Sequence, residues 1–327
     1  MVFEIKGSGK SRKDEVMKIQ STFNKMKRNG TLFFAAMVAL PILQFIIFYI
    51  CVNFNSILLA FQSYSYDFEN RTVVKEWQQI ANFQEIFQIW RIEETLQNCL
   101  KNSAMYLGIS LLIIMPLSLL FAYYIYKQMM WHGFFKVMLF IPGIICIMAT
   151  SLFYTHFVEW FVLPIIDKQG TIGSIMNNAD SSVAQIPQIA FYIILGFSSN
   201  LLLFVNAMSG VSLLTIEAAK IDGAGELRTF WNVVLPAIWG TLVSIIVIIL
   251  AEFGANQAYL HAHYGLNAPD GTETIGYFMF ASIFTAGVED PTRYPFASAL
   301  GLLLTLLVAP VTLVSKYLLN KFGPSEE

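Results

Sequence analysis

Charge is what this sequence lacks. Only 13% of its 327 residues are Asp, Glu, Lys or Arg, against 56% hydrophobic, and the mean hydropathy is +0.59. A soluble domain carries about a quarter charged residues, so a wholly water-facing surface is excluded and a lipid-facing one explains the balance. The net charge is −2, and basic residues cluster only at the N-terminus, which leaves no face for nucleic acid. Cysteine is scarce too. Cys51, Cys99 and Cys146 are odd in number and lack metal-like spacing. No metal centre is expected, and no redox compartment follows. Cys51 and Cys146 lie in apolar runs, where a thiol behaves as a small hydrophobe; a Cys51–Cys99 bridge stays open. There is no HExxH, no GxSxG and no pair of aspartates within an apolar run, so an intramembrane enzyme has no sequence support and no catalytic residue is assigned. No cleavable secretory signal is evident: the first apolar run follows a polar stretch, 1–30, and is too long for a signal core. No repeat or low-complexity tract stands out.

Long apolar runs are what is present. A bilayer core needs about 20 predominantly apolar residues per helix, and six stretches qualify, at about 31–54, 104–126, 137–160, 189–208, 240–261 and 295–318. Lipid offers no partner for free backbone polar groups, and continuous runs do not fit the alternating strands of a barrel. The expected fold is therefore an all-α integral membrane protein of about six transmembrane helices. With the N-terminus inside, the inner segments 1–30, 127–136, 209–238 and 316–327 hold 14 of the 20 basic residues, which predicts both termini in the cytoplasm. Eight of the 14, including Lys25, Lys27 and Arg28, precede the first span, whereas the outer loop 55–101 carries four basic residues and six acids. In that loop, residues 76–95 mix Trp77, Ile80, Phe83, Ile86, Phe87 and Trp90 with charges, the pattern of a helix lying at the interface. Pro41, Pro116, Pro142-Gly143, Gly196, Gly254 and Pro310 interrupt the runs, which ordinary helix kinking accommodates. The expected division is a basic tail over 1–30, a first span over 31–54, the outer loop 55–101, a core of five spans over 102–318, and a short tail over 319–327.

Gly7-Ser8-Gly9-Lys10-Ser11 mimics a phosphate loop, but Glu4 stands where the first glycine is required and no buried strand precedes it. A basic tail that orients the first span is the better reading. The chain has no ATPase machinery of its own.

Between the fourth and fifth runs lies Glu217-Ala218-Ala219-Lys220-Ile221-Asp222-Gly223-Ala224-Gly225, continuing to Phe230 and Val234-Leu235-Pro236. Residues 214–222 favour a helix, Gly223 and Gly225 permit a sharp bend, and a second short helix is expected over about 226–233. Ala218, Ala219 and Gly223 let another surface approach the backbone, and Glu217, Asp222, Glu226 and Arg228 can fix its register.

Glu-Ala-Ala, then Asp-Gly-Ala, then Leu-Pro is similar to the EAA loop of permease subunits in ABC importers. The resemblance covers roughly 80–318. Asn82-Phe83, Leu96-Gln97-Asn98, Asn102-Ser103, Pro116 to Leu120, Leu139-Phe140-Ile141-Pro142, Thr272-Glu273-Thr274-Ile275 through Phe278, and Phe296-Ala297-Ser298-Ala299 resemble carbohydrate-type permeases of the MalF-like group and follow the same order. The sequence departs from the pattern at Trp239-Gly240, where many members have a further proline. The resemblance implies a type I ABC importer (MetI-like) permease fold in a bacterial cell membrane. Glu217, Ala218, Ala219, Asp222, Gly223, Ala224, Arg228, Leu235 and Pro236 would then couple to an ATP-binding subunit. It implies as partners a MalG-like second permease, two ATP-binding subunits that use ATP and Mg, an extracellular solute-binding protein and a sugar substrate.

Glu252, Asn256 and Tyr259 fall at i, i+4 and i+7 in the fifth run, which predicts one helical face. A carboxylate within a span should face the bundle interior. Gly196, Ser199 and Asn200 form a second polar face in the fourth run, with Asn206 beyond it. Carboxylate, amide and hydroxyl groups beside aromatic rings suit sugar hydroxyls and C–H faces. In MalF-like proteins the equivalent stretches hold the sugar, which implies contacts at Gly196, Ser199, Glu252, Phe253 and Asn256; with Asn200 and Tyr259 from the two polar faces, these residues form the expected substrate path. The other reading is that these groups bond between helices and touch no ligand. Tyr154 and His156 are further candidates, with helix packing the favoured reading for His156. The rival functions are an ABC permease for another solute, a secondary transporter, and a receptor or structural membrane protein.

Overall fold

The computed structural model describes residues 33–35, 37–67, 72–167, 174–176, 181–286 and 293–324. The basic tail and its Gly7–Ser11 decoy lie outside the described residues. The chain divides between Leu58 and Leu59 into two units.

The first unit contains most of one helix, α1 (Phe33–Leu59). Its large apolar side chains are exposed, as lipid contact requires. Two of its polar groups close on the helix's own backbone: Asn53 donates to the Tyr49 carbonyl at 2.6 Å and Ser56 to Val52 at 3.0 Å.

The second unit opens with a hairpin that the sequence reading missed. Strands β1 (Gln62–Asp67) and β2 (Thr72–Trp77) pair antiparallel, from Gln62 opposite Trp77 to Asp67 opposite Thr72. Helix α2 (Ala81–Ile92) follows, within the segment expected to lie at the interface. It is partly held by protein. Asn82 donates to the carbonyls of Ala60 and Gln62, both at 2.8 Å, and Ile86 packs in a cluster with Leu96, Ile275, Phe296 and Leu300, while Phe87 and Ile92 stay exposed.

The remaining helices are α3 (Glu94–Tyr126), α4 (His132–Ile144), α5 (Ile147–Ile166), α6 (Ser181–Ser209), α7 (Leu213–Ile221), α8 (Glu226–Ala237), α9 (Trp239–Ala251), α10 (Leu260–Tyr264), α11 (Ile275–Ala286) and α12 (Arg293–Phe322). Among the described residues five helices are long and apolar enough to span a bilayer, or six if the bent pair α8–α9 is one span. The main core is built between α3, α6 and α9, from Tyr106, Ile114, Phe197, Leu201, Phe204 and Leu242 among others. Apolar side chains on the outer faces, such as Leu306, Leu307 and Leu313 of α12, are exposed, as lipid-facing residues are.

Two expected spans are not continuous. The third, 137–160, is broken between α4 and α5, where Ile145 is extended (ψ 145°). Pro142 cannot donate a helix hydrogen bond, and the Gly143 N–H donates instead to Ser198 Oγ at 3.1 Å, which fixes the α4 end against α6. The fifth, 240–261, ends at Ala251 and unwinds. Its entry is also bent, by 73° at Ile238. The bend adjoins the Trp239-Gly240 departure, and the Trp239 indole is held there by the Leu319 carbonyl of α12 at 3.2 Å.

Three prolines are accommodated in a common way. Pro116, Pro164 and Pro236 each lie two residues beyond a π-helical stretch, Ser110–Ile114, Val158–Val162 and Phe230–Val234 respectively. A proline ring collides with the carbonyl four residues back, and local widening of the helix relieves that collision.

Candidate functional site

Two regions bring the predicted residues together: a bent turn between α7 and α8, and a cavity beside the place where α9 unwinds.

The turn is closed by its own backbone. Gly223 N–H donates to the Lys220 carbonyl at 3.0 Å and Ala224 N–H to Ala219 at 2.9 Å, the paired bonds of a Schellman cap. The cap needs a left-handed residue, and Gly223 supplies it at φ +77°. Gly225 then starts α8, its carbonyl accepting from Thr229 N–H at 2.9 Å. Glu217, Ala218, Asp222, Gly223 and Arg228 are exposed, and Ala219 and Ala224 partly so. Three large apolar side chains also face solvent: Leu214 at 76%, Ile221 at 86% and Leu227 at 73%. Among its described side chains, Ile216, Thr229 and Phe230 anchor the turn by full burial. Leu235 and Pro236, half-buried, belong to the junction with α9 and not to the exposed turn.

Both feet of the turn are tied to the end of α3. Tyr126 Oη donates to the Val211 carbonyl at 3.4 Å, ahead of α7. Tyr123 Oη donates to the Glu226 backbone carbonyl at 3.2 Å and approaches its carboxylate at 3.1 Å, its ring packs on Phe230 with centroids 4.9 Å apart, and Lys127 forms an ion pair with Glu226. The Lys127 ammonium beside it, followed by the hydrogen bond from Tyr123, holds the Glu226 carboxyl below its ordinary range.

At the other region, a short 3₁₀ turn (Glu252–Gly254) ends the helix. Ala255 to Gln257 are not helical, and Ala258 and Tyr259 take left-handed backbone (φ +48° and +60°) that side chains with a Cβ rarely adopt. Glu252, Asn256 and Tyr259 therefore do not share a helical face, contrary to what the sequence spacing predicted. They meet on the wall of one cavity of about 680 Å³.

Several polar groups freed by the break find partners from other elements, as backbone at membrane depth requires. Asn256 Nδ2 donates to Tyr192 Oη at 2.7 Å, and its Oδ1 accepts from Ala258 N–H at 2.7 Å. Ser110 donates to the Tyr106 carbonyl at 3.0 Å, so its oxygen accepts the Tyr192 proton at 2.8 Å, which fixes every donor in that chain. Thr274 donates to the Asn256 carbonyl at 2.7 Å, and Gln188, 1% exposed, donates to the Ala258 carbonyl. Gly276 lies so close that a Cβ there would sit 2.7 Å from the Ala255 carbonyl group. The break is thus held from α3, α6 and α11 at once.

The cavity wall includes Gly196, Ser199 and Asn200 of α6, as well as Glu252 and Tyr259. Phe253 is not on it. Asn256 lines it with both ends of its amide engaged in the break. Tyr154 donates to the Pro187 carbonyl at 2.7 Å, and exposed His156 packs on Trp160 with centroids 5.2 Å apart; neither lines the cavity. Sequence reasoning missed Ser110, Tyr192, Gln257 and His261 on the wall. Their signal was polar residues within or at the ends of apolar runs. His261 Nδ1 faces the Gly265 carbonyl at 3.1 Å and so carries the proton there. The Glu252 carboxylate is exposed to the cavity and has no hydrogen-bond or ion-pair partner among the described residues. All three cysteines are free, Cys99 buried and Cys51 and Cys146 exposed. Among the described residues no group of three His, Cys, Asp or Glu is placed to hold a metal.

No protein-family model matches the chain. It is 23% identical over 287 residues to the polygalacturonan/rhamnogalacturonan transport system permease YteP of Bacillus subtilis, covering 82% of this chain and 81% of that one. It is 25% identical over 234 residues to the arabinooligosaccharides transport system permease AraP of the same organism, covering 70% and 73%. Its fold matches a chain of a bacterial ABC transporter involved in import of the acidic polysaccharide alginate, at TM-score 0.71 and 18% identity, over 92% of this chain and 99% of that one. The resemblance to sugar ABC permeases read from the sequence therefore holds over most of the chain, and the fold is that of an ABC importer permease. The protein is a multi-pass protein of the bacterial cell membrane.

Proposed function

We propose that this chain is one permease subunit of an ATP-driven importer of a sugar or oligosaccharide. With a second, MalG-like permease it encloses the translocation path. Two ATP-binding subunits dock from the cytoplasm, one of them on the α7–α8 turn, and an extracellular solute-binding protein delivers the sugar. The chain itself hydrolyses nothing; ATP and Mg belong to its partners.

The observation that carries this reading is the exposed turn. Leu214, Ile221 and Leu227 face water beside small residues, on a backbone stiffened by its own cap. Among the described residues nothing covers these apolar side chains, whereas a partner surface would. Because Tyr123, Tyr126 and Lys127 tie both feet of the turn to α3, a push on the turn moves α3 as a body. Ser110 of that helix lines the cavity, so nucleotide-driven closure is carried to the path through a contiguous element. The cavity supports the sugar reading: Tyr192 and Tyr259 offer rings for C–H faces, and Ser199, Asn200 and Glu252 offer groups for hydroxyls. On this reading both termini are cytoplasmic and the β1–β2 hairpin faces outward, beside the binding protein.

The test is purification of the tagged full-length chain from its own cells. An ATPase should accompany it, and reconstituted vesicles should take up sugar only with ATP and binding protein present. Glu217→Lys should release the ATPase or abolish uptake with the membrane bundle intact. Uptake driven by a proton gradient without ATP overturns the reading.

A further inference from the structure

Among the described residues, the wall of the cavity carries one formal negative charge and no lysine or arginine. Glu252 is that charge. Its carboxylate faces the cavity without a partner among the described residues, and it stands immediately after Ala251, the last residue of α9. A helix C-terminus bears partial negative charge from its unpaired carbonyls. An acid is therefore disfavoured there on grounds of stability, and the helix end adds to its field. The Glu252 carbonyl accepts from Ala255 and Asn256 N–H at 3.0 and 2.8 Å, but these bonds satisfy the backbone and leave the carboxylate unneutralised. The other polar groups on the wall, among them Ser199, Asn200, Gln257 and Tyr259, are uncharged and bind a hydroxyl as readily as they bind a carboxylate.

We propose that Glu252 is a charge filter: this half of the path accepts sugars free of carboxylate, sulfate and phosphate groups and turns away acidic ones. The inference rests on the importer reading above and names the substrate class. It separates this chain from the alginate importer whose fold it shares, since alginate is an acidic polysaccharide. Discrimination arises by repulsion. Two carboxylates brought together in a site of reduced dielectric oppose each other strongly, whereas an uncharged sugar places two hydroxyl protons on the same carboxylate.

The experiment uses the complex purified through the full-length chain in nanodiscs, without binding protein, at pH 8, where an ordinary imidazole is neutral. Saturation-transfer NMR titrations compare arabinotriose, trigalacturonate and the trisaccharide of glucosamine. The wild-type complex is expected to bind arabinotriose about tenfold more tightly than trigalacturonate, a difference of about 1.4 kcal/mol. Glu252→Gln should reduce the ratio to about threefold or less, and Glu252→Asp, which keeps the charge, should preserve it. Equal affinity for the neutral and acidic trisaccharides in the wild type overturns the filter, as does an unchanged ratio in Glu252→Gln. A complex that contains its ATPase but binds none of the three overturns the filter alone. A chain that brings down no ATPase and supports no ATP-dependent uptake overturns the importer reading, and the filter with it.

Discussion

The break at Glu252–Tyr259 and the turn at Gly223 are both places where a helix stops and the chain reverses into another helix, yet they are built oppositely. The break borrows partners from three other helices: Tyr192 and Gln188 of α6, Ser110 of α3 behind Tyr192, and Thr274 at the start of α11. The turn closes with its own backbone and leaves most of its side chains to solvent. The reason is the medium. In the membrane interior a freed N–H or carbonyl has no water to turn to, so side chains elsewhere in the fold must supply the bond. At the aqueous end water satisfies the peptide, and residues there are free to serve an external contact. The break should therefore fail as structure, and the turn should fail as function.

The largest effect is expected at Gly276. Gly276→Leu drives a side chain into the Ala255 carbonyl group, and overpacking against backbone costs about 1–3 kcal/mol or more. Thermal unfolding of the detergent-solubilised complex should shift clearly downward; an unshifted transition would show that the break can give way. Next comes Gln188→Leu, which removes the donor to the buried Ala258 carbonyl and should cost about 1–3 kcal/mol by the same measurement.

At the turn the balance reverses. Gly223→Val puts a β-branched residue at φ +77°, a local strain of about 1–2 kcal/mol, while Glu217→Lys changes only an exposed side chain and should alter stability by under about 0.5 kcal/mol. Both should nonetheless remove ATP-dependent uptake, and full transport by Glu217→Lys would erase the contrast between the two regions. The smallest effect belongs to the clamp. Lys127→Ala breaks an ion pair whose acid is 60% exposed, so the loss should stay within about 1 kcal/mol. The folded-state pKa of Glu226 lies below its ordinary value of 4.5. The contribution of the pair is therefore present above that value and is lost as pH falls through the lowered one. Wild type and Lys127→Ala should differ in melting temperature at neutral pH and converge in acid.

Several short motifs that resembled a permease family separately turn out to touch one another. Asn102 donates to the carbonyls of Gly271 and Glu273 at 2.8 and 2.9 Å, and Ser103 accepts from Ile275 N–H at 2.9 Å, joining the Asn-Ser and Thr-Glu-Thr-Ile stretches. Ser118 of the Pro116 to Leu120 stretch donates to the Ile114 carbonyl at 2.7 Å and to that of Phe197 at 3.3 Å. Phe296, Ala297 and Ala299 are buried. Periodicity does not reveal such links, because each motif is two to seven residues long and its partner lies as much as 172 positions away. The β1–β2 hairpin was missed for a related reason: Gln62–Asp67 and Thr72–Trp77 carry too few apolar residues to stand out beside the long runs.

Composition and the apolar runs were enough to determine a multi-span helical membrane protein, and Gly223 with its neighbours was enough to determine the bent turn, because both depend on local chemistry: the length of an apolar helix, and the one residue type that takes a left-handed backbone without strain. Where the third and fifth runs break, and that Glu252 opens onto a cavity while Asn256 is bound into its wall, only the tertiary structure decided. A helix with Glu252, Asn256 and Tyr259 on one face satisfies its own backbone and is locally the better choice. It gives way because Tyr192, Gln188, Thr274 and the space at Gly276 together satisfy the unwound chain, and those partners are assembled by the fold.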